Sequence, residues 1–480
     1  MTQKTHVTTT IPYVNARPHV GFALELAQAD AIARYHRLVG HDTRLQTGTD
    51  ENALKNVVAA SERGISPEEL VSQNSGLFRA LVEALNVSAD DFVRTSEQRH
   101  TTAVEYFWLS LKQDDIYQDS YSATYCIGCE DFLLEQDLVE GRCPDHGTVP
   151  EEVHEQNYFF RLSAYQDKLD RLISTNEITV FPETRKNEIL AFIRRGLHDI
   201  SISRTAERAG GWGITVPGDP SQVVYVWTDA LINYLTGPGL GASNDWQEWW
   251  NDDMLKIHAI GKNVWKFHAI YWPAFLLSAT LSIPNQIVIH GFLTENGRKI
   301  SKSLGNAIDP LGCINEYGAD AVRYYLLRML PPFIDSDFQT ERLRLVYNTD
   351  LANDLGNLVS RLTTLCVRAG YRRYHGEDAP QAPAGYHEAL GACLFDQALD
   401  TLWSIVAETN KDIEWAAPWN AIKSGQHKSI HSRLHAWLGE LYRVGYWLAP
   451  FMPTTAKAIQ AAIREYPIQS SAPLFPRKAL

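Results

Sequence analysis

The 480-residue chain lacks the features that mark membrane, disulfide-stapled and repeat proteins. Its first residues, MTQKTHVTTT, carry no apolar run behind a basic cluster, so they do not read as a leader peptide. The longest apolar-rich stretch, 271–283, is too short and too interrupted to span a bilayer. These absences make a cytoplasmic protein the expectation. Six cysteines are too few for a disulfide framework in a chain this long. Cys313, Cys366 and Cys393 are scattered, and buried small hydrophobes are expected there. No internal repeat and no low-complexity tract is present. The net charge of −13 argues against a surface generally coated by nucleic acid, yet it leaves room for one local basic groove.

What is present is enough apolar material, 45% of the residues, for large cores, and a length that suggests about three domains. From residue 7 to about 115, extended runs such as HVTTTIP and DTRLQTGTD alternate with helical-period stretches such as GFALELAQADAIARYHRLVG. That alternation predicts a parallel α/β layer. Residues 116–219 change to short strand-like runs and turn-rich segments, which reads as an insertion splitting a Rossmann-like sheet. The strand-to-helix pattern resumes over 220–290, and 291–350 leads onward to a third region. Residues 351–480 carry apolar stripes at helical period and predict a C-terminal helical bundle. The expected division is therefore 1–115, 116–219, 220–290, 291–350 and 351–480.

Three local patterns carry chemistry. In a parallel sheet, helix N-termini beyond the strands offer free N–H groups to phosphate, and His19-Val20-Gly21-Phe22 falls where such a helix should begin. Glycine lets a nucleotide approach the backbone, and an imidazole can donate to a phosphate oxygen. A glycine- and serine-flanked loop carries Arg298, Lys299 and Lys302, with Ser301 and Ser303. Two lysines three apart suit a clamp that neutralises charge developing on phosphate; taken alone, such a run is more commonly a solvated basic loop. Cys126-x-x-Cys129 and Cys143-x-x-His146 have spacing suited to tetrahedral zinc, with His154 as a competing fourth ligand.

Together, HVGF and KISKS resemble the signature motifs of class I aminoacyl-tRNA synthetases. PYVNARPHVGF, TGTDEN, CIGC with CPDH, YVWTDALINY, IGKN, FHAIYWPAF, HGFLTENGRKISKSLGN, LANDLGNLV and APW, in that order, resemble the bacterial methionyl-tRNA synthetases from about residue 6 to the end. The resemblance implies activation of L-methionine with Mg-ATP to the adenylate, release of pyrophosphate, and transfer of the methionyl group to the terminal ribose of tRNA(Met). It also implies a structural zinc in the insertion.

Carried over by motif, the catalytic residues are His19, Lys299 and Lys302. ATP is expected against His19, Gly21, Lys262, Asn263, Lys299, Ser301, Lys302 and Ser303. The methionine pocket is expected from Ile11, Tyr13, Asp50, Arg204, Trp227, Ala230, Leu231, Tyr234, Val264 and His268. Aromatic faces attract a polarizable thioether, and a buried Asp50 suits the substrate ammonium. Otherwise Asp50 would be a helix N-cap, and YVWTDALINY plain core. Asn357 and Arg361, four apart on one helix face, with Trp419 after a helix break, are implied to read anticodon bases.

Four positions depart from the family pattern. Phe22 stands where histidine or asparagine is usual, Asn52 and Ala53 stand where His-Gly is common, and Asn263 stands where aspartate is usual. Phenylalanine can donate no hydrogen bond to ATP. Alternatives therefore stay open: a working variant or second copy, a paralogue that binds ATP, amino acid or tRNA with little aminoacylation, or an enzyme for another amino acid. The chain ends at PLFPRKAL just past the bundle, and a monomer is expected.

Overall fold

Six short runs rich in Val, Ile and Thr pair side by side in one parallel sheet of the computed structural model. The structure describes residues 2–126, 131–133, 138–144, 147–295, 297–299, 308–376 and 378–479, with backbone only for 121–123, 131–133, 244 and 298–299. The sheet strands are β1 (Lys4–Thr9), β2 (Asp42–Thr49), β3 (Asp91–Arg94), β4 (Thr179–Phe181), β5 (Leu255–Gly261) and β6 (Gln286–His290). Their spatial order is β3-β2-β1-β5-β6-β4, and every neighbouring pair is parallel. Val7 on β1 lies opposite Leu45 on one side and Ile257 on the other. The order of winding reverses between β1 and β5, the place where a doubly wound sheet opens a crevice at its carboxyl edge.

Because crossovers cover both faces of a parallel sheet, β1 and β5 are buried almost throughout. Polar side chains in them must therefore find partners inside. Thr8 and His258 hydrogen-bond at 2.6 Å, Thr9 and Thr47 at 2.7 Å, and the Lys256 ammonium donates to Ser282 Oγ at 2.8 Å. Burial still tells on the bases: it pushes Lys256 down to about 8 and His6 down to about 3.

The chain divides into two compact units, each with its own interior. The first comprises Met1–Pro18, His41–Ala80 and Ala89–His290, and holds this sheet. Within 116–224 it also carries two antiparallel sheets. One orders Asp131–Leu133, Ile116–Cys126, Glu151–Phe160 and Ile200–Ser201; the other orders Thr215–Val216, Asp219–Val224 and Ser203–Thr205.

The second unit comprises His19–Gly40, Leu81–Ser88 and Gly291–Leu480. Helix Val20–Leu38 is buried along its first fourteen residues except Gly21, and so it carries Asp30 into the interior. Arg323, fully buried, pairs with Asp30 at 2.7 Å and donates to the carbonyls of Phe451 and Pro450 at 2.7 and 2.9 Å. Beyond a small sheet of Leu293–Glu295, Arg298–Lys299 and Ser336–Asp337 the unit is helical. Thr340–Val346 runs through a wide-turned π segment, Tyr347–Gly356, into Asn357–Ala369. Phe395–Ala416, His431–Trp447 and Pro453–Arg464 complete the bundle. The three scattered cysteines are buried there as expected, and burial pushes their thiols up to about 11 for Cys313 and about 12 for Cys366 and Cys393.

Candidate functional site

Strand Asp219–Val224 passes through extended Tyr225 straight into helix Val226–Leu231, which puts Trp227 in the helix's first turn. Its indole stacks flat on Phe267, 3.7 Å between centroids and 7° between planes, and meets Tyr13 edge-on at 6.1 Å. An aromatic pair of this kind contributes about 0.5–1.5 kcal/mol beyond its buried area. Ala230 and Leu231 follow on the same helix, both buried, and Ile11 Cγ2 lies where a side chain on Gly48 would come within 3.0 Å of it.

Tyr234 and His268 make the polar contact of this wall, with Tyr234 Oη 2.7 Å from His268 Nε2. His268 Nδ1 lies 2.9 Å from the Val264 carbonyl, an atom that only accepts. The Nδ1 therefore carries the ring proton, Nε2 accepts, and the Tyr234 hydroxyl is the donor. Tyr13, Trp227, Tyr234, Val264 and His268 are thus brought together with Phe267, which the sequence reading missed. Nothing but its place in FHAIYWPAF marked that residue.

Asp50 is 1% exposed and backbone-bridged to Tyr13, with its N–H donating to Pro12 O at 2.9 Å. It is not a helix cap: the next helix, Leu54–Arg63, starts from Ala53, and Asp50 Oδ1 accepts from Asn52 N at 3.3 Å instead. Asn52 Nδ2 donates to Thr95 O at 3.1 Å and to Asp229 Oδ2 at 2.7 Å. The other carboxylate oxygen of Asp229 lies 2.7 Å from His100 Nε2, and His100 Nδ1 is 2.8 Å from Thr236 Oγ1. Asp229 and His100 are fully buried and were not anticipated, although a charge inside the apolar run YVWTDALINY was a signal.

Arg204, 6% exposed, lies with its guanidinium 4.0 Å over the Tyr225 ring and donates to Ser201 Oγ at 3.0 Å and Ser203 O at 2.6 Å. Asn52, Arg204, Trp212 and Tyr225 line a cavity of about 30 Å³, room for water rather than substrate. At the carboxyl end of β5, Lys262 and exposed Asn263 follow Gly261, whose position opposite a β6 residue, His290, marks the crevice edge. A side chain on Gly261 would meet Asn263 Oδ1 at 3.1 Å.

In the second unit, His19 is the N-cap of helix Val20–Leu38, and its Nδ1 accepts from Gly21 N at 3.0 Å. A neutral ring that accepts at Nδ1 carries its proton at Nε2, so that nitrogen is a donor. Any side chain on residue 21 would meet His19 Cε1 at 2.7 Å and Nδ1 at 2.9 Å, so glycine is what admits the folded-over ring. Phe22 is buried, at 7% exposure. Val20 N, one residue beyond His19, donates to Ile308 O at 3.3 Å, which fastens the helix start to the segment just past the lysine loop. The near arm of that loop is the hairpin in which Thr294 faces Lys299 and Glu295 faces Arg298, turning at Gly297 with φ +71°. Gly297 N and Thr294 Oγ1 both bond Asp337 Oδ1, at 3.1 and 2.9 Å. Ser301, Lys302 and Ser303 lie outside the described residues.

Asn357 is exposed at the start of its helix, Arg361 pairs with Glu414 at 3.7 Å, and Trp419 is 46% exposed after a break at Ala417, φ +43°, and Pro418. In the first unit, Cys126 and Cys143 are both buried to 1%. Cys143 sits in a turn, with Gly147 N donating to its carbonyl at 2.8 Å and its own N–H donating to Thr148 O at 2.9 Å. Cys126 Sγ is 3.8 Å from Thr148 Oγ1, so the two cysteines attach to one residue. Cys129 and His146 lie outside the described residues, and His154 is exposed, opposite Ser122 in the strand pair. Among the described residues no group of three metal-ligating side chains is assembled.

The profile of the family described as tRNA synthetases class I (M) matches residues 5–149 and 145–363. A methionine–tRNA ligase of Brucella melitensis is 39% identical over 95% of this chain and 91% of its own. One of Mycobacterium bovis is 40% identical over 97% and 93%. The crystal structure of Mycobacterium tuberculosis methionyl-tRNA synthetase bound by methionyl-adenylate superposes with a TM-score of 0.91, at 35% identity, over 99% of this chain and all of that one.

Proposed function

The chain belongs to the class I tRNA synthetases of the methionine type, and from that membership we propose how its residues divide the work of a methionine–tRNA ligase. The reaction is an in-line displacement followed by an acyl transfer. A carboxylate oxygen of methionine attacks the α-phosphorus of Mg-ATP, the bond to pyrophosphate breaks, and the adenylate's acyl group then passes to the terminal ribose hydroxyl of tRNA(Met) with release of AMP. No covalent enzyme intermediate is needed, so positioning and charge stabilisation carry the rate. The single observation behind this conclusion is identity near 39% over more than nine tenths of both chains.

For the amino acid, Ile11, Tyr13, Trp227, Ala230, Leu231 and Val264 form the side-chain wall. The Tyr234 hydroxyl is held in one orientation by His268. Asp50 takes the ammonium, and Arg204 is a cation of the active site. For the nucleotide, His19 offers Nε2–H and Gly21 the close backbone approach. Lys262 and Asn263 take the ribose and phosphate region, and Lys299, Ser301, Lys302 and Ser303 the charge that develops on the phosphates. Asn357, Arg361 and Trp419 take the anticodon. The half-buried Asn52–Asp229 hydrogen bond supports a working variant rather than a decayed paralogue, because an amide there still meets a carboxylate that would otherwise lose a donor.

A structural zinc belongs to the same reading, held by Cys126, Cys129, Cys143 and His146. Two buried cysteines that both bond Thr148, Cys126 through its thiol and Cys143 through its backbone N–H, fit a thiolate-rich knuckle. When bound, the metal would brace the insertion and take no part in the reaction. The regions 1–115 and 220–290 serve as the catalytic halves, 116–219 as the insertion, whose strand Thr179–Phe181 adds the edge of the catalytic sheet, 291–350 as loop and linker, and 351–480 as the anticodon-binding part. The enzyme acts as a monomer in the cytoplasm. No helix among the described residues is long and apolar enough to cross a membrane.

ATP–pyrophosphate exchange across the twenty amino acids, followed by charging of tRNA(Met), tests the assignment. Methionine alone should support exchange, and charging should follow. Exchange with a different amino acid would move the specificity, and none at all, in folded protein, would favour the binding paralogue. Metal analysis should return one zinc per chain; clearly substoichiometric metal in protein purified without chelator would remove the knuckle.

A further inference from the structure

We propose that Trp415 and Arg433 form a second stacking platform for an unpaired base of the tRNA anticodon loop, beyond Asn357, Arg361 and Trp419. The proposal rests on the reading of the chain as a methionine–tRNA ligase.

Trp415 is 78% exposed, the most exposed large hydrophobic side chain among the described residues. It sits in the last turn of Phe395–Ala416, and the Arg433 guanidinium lies over its ring at 5.3 Å. The register that brings them together is fixed from one turn away, where Trp437 Nε1 donates to Asp412 Oδ2 at 2.7 Å. One helix thus contributes 412 and 415, and the other 437 and 433, each pair about one turn apart. The residue before Trp415, Glu414, pairs with Arg361, so the platform adjoins the helix already assigned to the anticodon.

The charge of the surroundings selects the partner. Residues 361–376 and 417–437 contain lysines and arginines but no aspartate or glutamate, in a chain where acids outnumber bases 57 to 44. The structure joins these two stretches: His427 and His431 ring nitrogens lie 3.1 and 2.9 Å from the carbonyls of Arg368 and Ala369, and Tyr371 Oη is 2.9 Å from His435 Nδ1. The two acids nearest Trp415 are engaged, Asp412 by Trp437 and Glu414 by Arg361. A polyanion with free π-faces is what such a surface fits, which describes a single-stranded RNA loop.

The test is steady-state charging of tRNA(Met) transcript by full-length W415A, W415Y, R433A and W419A, each required to unfold at the parent's midpoint. W415A should raise KM for tRNA about tenfold with kcat nearly kept, the scale of one lost base stack. W415Y should restore most of it, and R433A should flatten the salt dependence of binding by about 0.7 in the log–log slope. An unchanged KM in W415A, or no rescue by tyrosine, would overturn the platform. If W419A weakens binding while W415A does not, only the platform fails; if neither does, the anticodon reading fails as well. Light scattering that shows W415A dissociating a dimer at unchanged KM would assign this face to a second copy and overturn the proposal.

Discussion

Around Asp229 the polar groups are enclosed and matched partner to partner, from Asn52 and His100 to Thr236, whereas at the end of the helical bundle aromatic and cationic groups stand in solvent with few contacts. Asp229 is 0% exposed and meets both Asn52 and His100; Trp415 is 78% exposed and touches one guanidinium. A small substrate brings few atoms, so its site must be organised in advance by hydrogen bonds inside the protein. A large RNA brings many phosphates and bases, so its surface can leave groups waiting and spread the affinity over them. Losses should therefore be steep in the first region and graded in the second.

The steepest effect expected belongs to the nucleotide histidine. H19A should lower methionine-dependent pyrophosphate exchange by roughly 10²–10³, as for one preorganised donor lost from developing charge. G21A should approach the same loss by displacing the ring, and a G21A enzyme at near-parent exchange would show that the cap is dispensable. Next comes D229N, which keeps the shape but no longer accepts fully from both Asn52 and His100. It should reduce kcat/KM for methionine about tenfold, or about 1.4 kcal/mol, within the range of a charge-assisted hydrogen bond. W419A, in the exposed region, should raise KM for tRNA by about five- to tenfold. If it cost more than D229N costs for methionine, the contrast between steep and graded sites would break.

The smallest effect is a pH dependence. Burial alone would raise the Asp30 carboxyl, but Arg323, Arg34 and two hydrogen bonds from Ser88 outweigh it and hold the group below the usual carboxylate range. A depressed carboxylate contributes stability that is complete above its unfolded pKa of about 3.8 and is lost as pH falls through the folded value. Urea unfolding should show this as a slope no steeper than about 1.4 kcal/mol per pH unit from this one group, beginning below about pH 4. An acid limb in D30N that keeps the parent's slope would remove Asp30 as a source.

The residues most legible in the sequence were those whose partners are close in the chain. The helix start at His19 and Gly21, two residues apart, is where the motif put it, although the hydrogen bond between them was not foreseen. The alternation of strand and helix announced the parallel sheet, and helical period announced the bundle, because each follows from where neighbouring side chains must point. What could not be read joins distant positions. Asp229 meets Asn52 across 177 residues and His100 across 129, and the Phe267 stack on Trp227 spans 40. Periodicity marks a face as buried; it does not say which polar group waits on the other side. For the same reason Asp50 allowed a reading as a helix cap, which the turn through Asn52 and Ala53 removes.

The ring of His19 folded onto the amide of Gly21 also constrains how this gene can change. A library that varies codon 21 alone, selected for activity, should favour glycine, because a Cβ there pushes the imidazole out of its capping position. With position 19 already changed to a small residue, the same library should accept alanine and serine. The two codons are thus epistatic, and a histidine restored at position 19 finds its capping place taken once position 21 has moved.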